Sequence, residues 1–387
     1  AMEEDPVTME MVPVEEGVVT EQPGASEGSE RGSIVYLGRS KEKHTDRAIL
    51  NNITLDALYN RIWRKDVRHA IAKMVEDLVQ KGASHWLEDL ELDELERDRA
   101  RFVSNIIIDS LAPTNTLIGN PSAQKMAITS GGLSLIKGLK NAYDDMVYNK
   151  GMVSQVDKKP FKLGENVATS KGSVVLRTEM MELIQYTPTT DEVYEIPQLT
   201  IPPQINKMYI NDLSPEKSVV KYQLENGIQT FVISWKNPTK DQGHWDMADY
   251  VNSCREALEA VAKITGSKKV NVSAGCSGGQ TATMLASKMA SDKDELLGAL
   301  TLMVCVLHPK QNDIEAGSLV SENGLALAKH RAAKKGVIKG DDLARGFAWL
   351  RPNDLIWNYV INNYLLGQDP PAFDVLFWNA DATNLSG

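Results

Sequence analysis

Cysteine is scarce in this chain. Among 387 residues there are three, Cys254, Cys276 and Cys305, an odd number without a C-x-x-C pair. That count argues against a disulfide framework and against the usual zinc spacings. Histidine is nearly as rare, and His44, His69, His85, His244, His308 and His330 form neither an H-x-H nor an H-x-x-x-H pattern, so no metal centre is expected. No stretch approaches the roughly 18 consecutive apolar residues of a membrane span. The N-terminus lacks the basic-then-apolar order of a signal peptide. Basic charge is also in deficit: 42 Lys and Arg against 52 Asp and Glu leave a net charge of −10, which gives no general affinity for nucleic acid. A reducing cytoplasm fits these absences.

What is present is an ordinary globular composition, 42% hydrophobic and 24% charged, in a chain long enough for a large core and more than one folding unit. Residues 1–35 contain no aromatic residue and are rich in Glu, Gly, Ser and Pro. Such a segment buries too little apolar surface to offset its chain entropy, so 1–40 are expected to be a disordered acidic tail. Residues 41–160 read as a helical N-terminal domain. Leu58, Ile62, Val67, Ile71, Met74 and Val79 recur at helical spacing, with Thr54 placed to cap that helix and Gly82 to end it. A second helix is expected up to Pro113, and "AQKMAITSGGLSLIKGLKNAYDDMVYNK" supplies one or two more.

From about residue 161 strands alternate with helices. "GSVVLRTEMMELIQYTP" reads as two strands, followed by "QLTIPPQI", "QTFVISW", "KVNVSAG" and "ALTLMVCVL". Three helical stretches separate the later ones, a texture that argues for a mostly parallel sheet covered on both faces.

One stretch carries chemistry. "VNVSAGCSGGQTATM", residues 270–284, has the order strand, small-residue turn, helix that an α/β-hydrolase nucleophile elbow requires. It reads in two frames. G-x-S-x-G centres on Ser277 with Gly275 and Gly279 at its flanks; one residue earlier, the centre is Cys276, with Ala274 and Gly278. Both frames put small residues where strand and helix backbones approach. Either nucleophile would lie at a helix N-terminus, whose field favours a thiolate or a developing oxyanion, and the N–H that follows would donate to that oxyanion. Spacing alone leaves the choice open. The loop after the third strand, in "TIPPQINKMYINDLSP" (200–215), is where this fold supplies a second oxyanion N–H, from Ile205 or Asn206.

In such a fold the acid follows the seventh strand and the base the eighth, whereas only six strands can be counted here. His308 and His330 follow the elbow, with Asp313, Asp341, Asp342 and Asp354 nearby in sequence, but each histidine reads better as a structural or solvated group than as part of a non-standard triad. "ARGFAWLRPNDLIWNYVINNYLLGQDPPAFDVLFWNADATNLSG" reads as an insertion or the start of a cap rather than two more strands, with its aromatic residues mostly in packing roles.

Several blocks resemble the polyhydroxyalkanoate (PHA) synthases, the poly(3-hydroxyalkanoate) polymerases. They are "LAPTN" at 111–115, "LIQYTP", "PPQINKMYINDLSPEKS", "QTFVISWKNPTK", "ITGSKKVNVSAGCSGG" and "LRPNDLIWNYVINNYLLGQDPPAFDVLFWNADATN", so the resemblance runs from about residue 100 to the last. It implies an acyltransferase that polymerises 3-hydroxyacyl-CoA, as in poly(3-hydroxybutyrate), with release of CoA through a covalent cysteine, and that needs no cofactor or metal. The family's lipase-like box is G-x-C-x-G. By that match Cys276 is the catalytic nucleophile, and the backbone N–H groups of Ser277 and Ile205 form the oxyanion hole. The resemblance also implies a homodimer, association with the growing polyester and with granule proteins, and a place in the cytoplasm at the granule surface.

Two departures stand out: Ala274 replaces the first glycine of the box, and His308 stands where the family usually continues with aspartate. The family's catalytic Asp and His lie beyond the last residue here. The sequence is therefore expected to be C-terminally truncated, an incomplete α/β-hydrolase fold over 161–387 that lacks the last strands, with little polymerase activity on its own. The alternatives are an esterase or thioesterase using Ser277, and a non-catalytic granule-associated homologue.

Overall fold

The computed structural model describes residues 67–307 and 322–386. The expected acidic tail, the start of the first helix with Thr54, and both His308 and Asp313 lie outside the described residues.

A six-stranded sheet forms the centre. Its strands are β1 (Gly172–Arg177), β2 (Met181–Tyr186), β3 (Gln198–Ile201), β4 (Thr230–Trp235), β5 (Val270–Gly275) and β6 (Leu297–Met303). They lie side by side in the order β1-β2-β4-β3-β5-β6. β2 runs antiparallel to both β1 and β4, whereas β4, β3, β5 and β6 are mutually parallel. A parallel strand needs a crossover, and a crossover helix covers a face of the sheet. The sequence shows the result. "TFVISW" of β4 is buried at five of six positions, because both of its faces are covered. β2 mixes buried and half-buried positions, and the edge strand β1 is mostly exposed.

The crossover helices are α5 (Val219–Glu225), α6 (Met247–Thr265) and α7 (Cys276–Ser291). α6 starts where Asp246 accepts hydrogen bonds from the Ala248 and Asp249 amides and ends at Gly266, in the left-handed conformation with φ 71°. Its apolar stripe, with Cys254, Ala257, Leu258 and Val261 fully buried, packs on Leu199, Ile201, Phe231, Ile233, Val270 and Val272 of the sheet, with Leu285 and Met289 of α7 in the same cluster. Each Val, Leu, Ile, Phe or Met side chain among them contributes about 1.5–3 kcal/mol when fully buried. This core holds β3 and β5 together, and both lead into the candidate site.

Among the described residues, four α-helices precede the sheet, α1 (Val67–Glu88), α2 (Glu94–Ser110), α3 (Pro121–Thr129) and α4 (Leu133–Tyr148). α1 corrects one expectation, since it runs through Gly82 and ends at Glu88. A glycine inside a helix costs only about 1 kcal/mol, and continuing the helix buries Leu87. α3 and α4 are two helices because Gly131 and Gly132 both take positive φ between them.

The described segment after the sheet is mostly helical, and its two short strands, Val337–Ile338 and Leu385–Ser386, pair with each other rather than with the sheet. It holds α8 (Glu322–Lys335), α9 (Gly340–Leu350), two π-helical turns (Asn353–Trp357 and Val360–Leu365) and α10 (Asp374–Asn379). It packs against α4. Asn141 donates to the carbonyls of Asn363 and Gln368, and buried Asp145 accepts from Tyr364 Oη at 2.8 Å and from the Ser154 amide at 2.9 Å. The aromatic residues of the segment pack as expected: Trp357, Tyr359 and Tyr364 lie around Ile356 and Val153, and Phe377 and Trp378 lie beside Phe161 and Tyr209. Among the described residues no helix is long and apolar enough to cross a membrane.

Candidate active site

β5 leads into α7 without a loop. Gly275 is extended, at φ −119° and ψ 147°, and the next residue is the first of the helix. That residue, Cys276, has φ 49°. For a side chain with a Cβ the left-handed region costs about 1–2 kcal/mol, a strain that recurs at functional sites. Cys276 is exposed. Ser277 lies one step further into the helix, with its Oγ buried and without a hydrogen-bond partner.

The small residues around the turn differ in what they make room for. A Cβ on Gly278 would run into the carbonyl oxygen of Ile201 and lie 2.7 Å from that of Pro202, where β3 ends against the first turn of α7. Ala274 is completely buried. Gly275 has space, its nearest neighbour being the Met303 carbonyl oxygen at 3.8 Å. Crowding two residues to either side therefore belongs to the frame centred on Cys276. Gly279 is crowded for another reason: the Sγ of Cys305 lies 2.6 Å from where its Cβ would be.

No side chain caps α7, in contrast to α2, α3, α5 and α6, which Asp93, Asn120, Ser218 and Asp246 cap. The first N–H groups of a helix have no partner within it. At the head of α7 the Ser277 amide is one of these, beside the Cys276 thiol.

The loop after β3 is fastened by its carbonyls. Trp235 Nε1 donates to Pro202 O at 2.8 Å. Thr383 Oγ1 donates to Gln204 O at 2.6 Å, and the Thr383 amide to Ile205 O at 2.9 Å. Trp378 Nε1 donates to Lys207 O at 2.7 Å. The Gln204 side chain crosses to α7, where its Nε2 donates to Thr281 Oγ1 at 2.7 Å with both residues buried. Of these bonds, the one between Gln204 and Thr281 ties the Ile205 segment to α7, at the sixth residue of that helix.

Among the described residues, His330, Asp341, Asp342 and Asp354 form no acid–base pair with one another. His330 is exposed on α8. Asp341 pairs with Lys150, Asp342 with Lys335 at 3.0 Å and Asp354 with Arg351 at 2.7 Å. The Lys150 ammonium, through its hydrogen bond, holds the Asp341 carboxyl below its ordinary range. The sequence reading missed the tether of the β3 loop by Trp378 and Thr383. "FWNADATN" marks those residues as a block, but nothing local reveals what they touch.

The three thiols differ in their surroundings. Burial pushes the Cys254 thiol far up, and burial followed by the nearness of Cys276 raises that of Cys305. A raised pKa leaves less thiolate at a given pH, and the thiolate is the species that reacts. Iodoacetamide is therefore expected to label Cys276 first and Cys305 more slowly, with the Cys305 rate climbing as pH rises. Cys254 should react only after unfolding. Peptide mapping against time checks this, and labelling of Cys254 in the native protein would contradict it.

Comparison with known proteins agrees with the fold. The model described as "Poly-beta-hydroxybutyrate polymerase (PhaC) N-terminus" matches residues 57–223, and the one described as "alpha/beta hydrolase fold" matches residues 211–387. The "Poly(3-hydroxyalkanoate) polymerase 1" of Ectopseudomonas oleovorans is 47% identical over 306 residues, covering 79% of this chain and 54% of that protein. The "Poly(3-hydroxyalkanoate) polymerase subunit PhaC" of Cupriavidus necator is 37% identical over 331 residues, 84% of this chain and 56% of that one. The chain thus spans about half the length of the curated relatives it matches.

Proposed function

Because this chain belongs to the poly(3-hydroxyalkanoate) polymerase family, we propose that it carries the acyl-accepting site of a polyester synthase, with Cys276 as the nucleophile. The Cys276 sulfur attacks the thioester carbonyl of 3-hydroxyacyl-CoA. Negative charge gathers on the carbonyl oxygen, where the N–H groups of Ser277 and Ile205 receive it. The carbon–sulfur bond to CoA then breaks, CoA leaves as a thiol with the proton that Cys276 gives up, and the acyl group stays on Cys276. Attack by the 3-hydroxyl of another acyl unit would pass the chain on. Exchange between two thioesters has little intrinsic bias, which suits a chain that must be handed over repeatedly. A thiol is also far easier to activate near neutral pH than a serine hydroxyl. The acyl donor and the growing polyester are the partners this reading requires.

One observation carries the proposal: the exposed thiol is on the strained residue at φ 49° that opens the uncapped α7. The esterase alternative would use Ser277, whose Oγ is buried and unpartnered.

The test is incubation with 3-hydroxybutyryl-CoA, followed by peptide mapping. The expected result is an acyl group on Cys276, with CoA released in step. An acyl group on Ser277, or none on either residue, would defeat the reading.

A further inference from the structure

We propose that Thr383 is a positioning residue for this site: its hydroxyl sets the direction of the N–H that Ile205 presents to the substrate oxygen. The inference rests on the Cys276 reading and adds a residue to it.

The argument starts from the peptide bond. The Ile205 N–H belongs to the same planar unit as the Gln204 carbonyl. In a trans unit the C=O and N–H point in opposite directions, and the described chain contains no cis peptide. Whatever holds the carbonyl oxygen therefore aims the N–H. That oxygen accepts a hydrogen bond from Thr383 Oγ1 at 2.6 Å. The next carbonyl, of Ile205, accepts from the Thr383 amide at 2.9 Å. One residue thus grips two successive peptide units of the loop, and it is buried, at 1% exposure. A donor on a carbonyl also polarises the amide behind it, which makes the N–H a better donor.

Thr383 can act as a fixed point because its neighbours are tied down. The Asn384 amide donates to Asn237 Oδ1, and its Nδ2 donates to Pro238 O, both at 2.9 Å. Asn384 Oδ1 accepts from the Gly340 amide at 3.1 Å. Leu385 and Ser386 pair with Ile338 and Val337 in a short antiparallel ladder. On the other side of the loop, Gln204 Nε2 is held by Thr281 on α7. The Gln204–Ile205 unit is clamped between the nucleophile's own helix and the chain around Thr383.

The test separates aim from thiol reactivity. Acylation passes through a tetrahedral oxyanion and alkylation by direct displacement does not. Both p-nitrophenyl acetate and iodoacetamide modify the Cys276 thiol, and the ratio of the two rate constants, read by peptide mapping, isolates the oxyanion contribution. Thr383→Val keeps the shape and the backbone N–H but loses the hydroxyl. It is expected to lower the ratio on the order of 10-fold, a fraction of the 10²–10³ that removal of an oxyanion donor costs, with alkylation within about 2-fold of the parent. Thr383→Ser should restore the ratio. Cys254 labelling reports on folding, and Thr383→Ala takes the place of the valine variant if that variant exposes Cys254. An unchanged ratio in the valine or alanine variant overturns the proposal. So does a parallel fall in both rates, which would make Thr383 a support of the turn as a whole. Failure of the Cys276 reading shows elsewhere, in 3-hydroxybutyryl-CoA leaving no acyl group on Cys276 while the ratio can still be read.

Discussion

Cys276→Ala is expected to lower acyl transfer from 3-hydroxybutyryl-CoA onto the chain on the order of 10⁴-fold or more, the scale on which loss of a covalent nucleophile is felt. The loss should come without unfolding. Cys276 is exposed, and truncating an exposed side chain stays within about 0.5 kcal/mol. Cys276→Ser should fail nearly as badly, although it keeps a nucleophile of similar size at the same strained position. A hydroxyl is ionised far less than a thiol near neutral pH and needs an adjacent base to act. Acyl mapping of the two variants, beside their thermal unfolding, checks both halves. Acyl transfer that persists on Ser277 in the alanine variant would return the choice to the other frame of the motif.

Gly278→Ala is expected to destabilise the fold by about 3 kcal/mol, at the upper end for overpacking. Its Cβ would meet two backbone carbonyl oxygens, those of Ile201 and Pro202. Neither can turn aside like a flexible side chain. Ile201 closes β3, which is hydrogen-bonded on both sides, to β4 and to β5. Relief would have to come from moving α7 or the loop that carries Ile205, so the acyl-accepting site should suffer along with stability. Gly275→Ala is the matched control. Gly275 has an ordinary extended φ of −119° and nothing nearer than 3.8 Å, so that variant should lie within about 0.5 kcal/mol of the parent. Urea unfolding of the pair reads the difference directly, and the reverse order would mean that the crowded glycine had been misidentified.

Much of the architecture is legible because it rests on local rules. The six apolar runs became six strands in one sheet, and the fall of the chain between helix and strand follows turn and cap residues such as Asp246 and Gly266. Where local rules were pressed too far they failed: Gly82 was expected to stop α1, but the burial of Leu87 outweighs a single glycine. β6 ends at Met303, although the apolar run continues to Leu307, because Val304 takes φ 46° and turns the chain out of the sheet. An apolar pattern records what can be buried without recording where the backbone bends.

By itself the sequence determined the order of elements, the small-residue turn between β5 and α7, and, through its longer blocks, the family. Spacing could not choose between Cys276 and Ser277, since the frames are one residue apart and equally spaced, and only the resemblance of the longer blocks pointed to Cys276. Only the tertiary structure gives the two residues different surroundings, the strained φ and the exposure at Cys276 and the buried oxygen at Ser277, and the proposed choice of Cys276 leans on that difference. The crowding at Gly278 comes from a strand that ends 77 residues earlier, and the grip on Gln204 from a threonine 179 residues later. Contacts over such separations leave no period in the sequence, because only the folded sheet brings β3, α7 and the Thr383 segment to the same place.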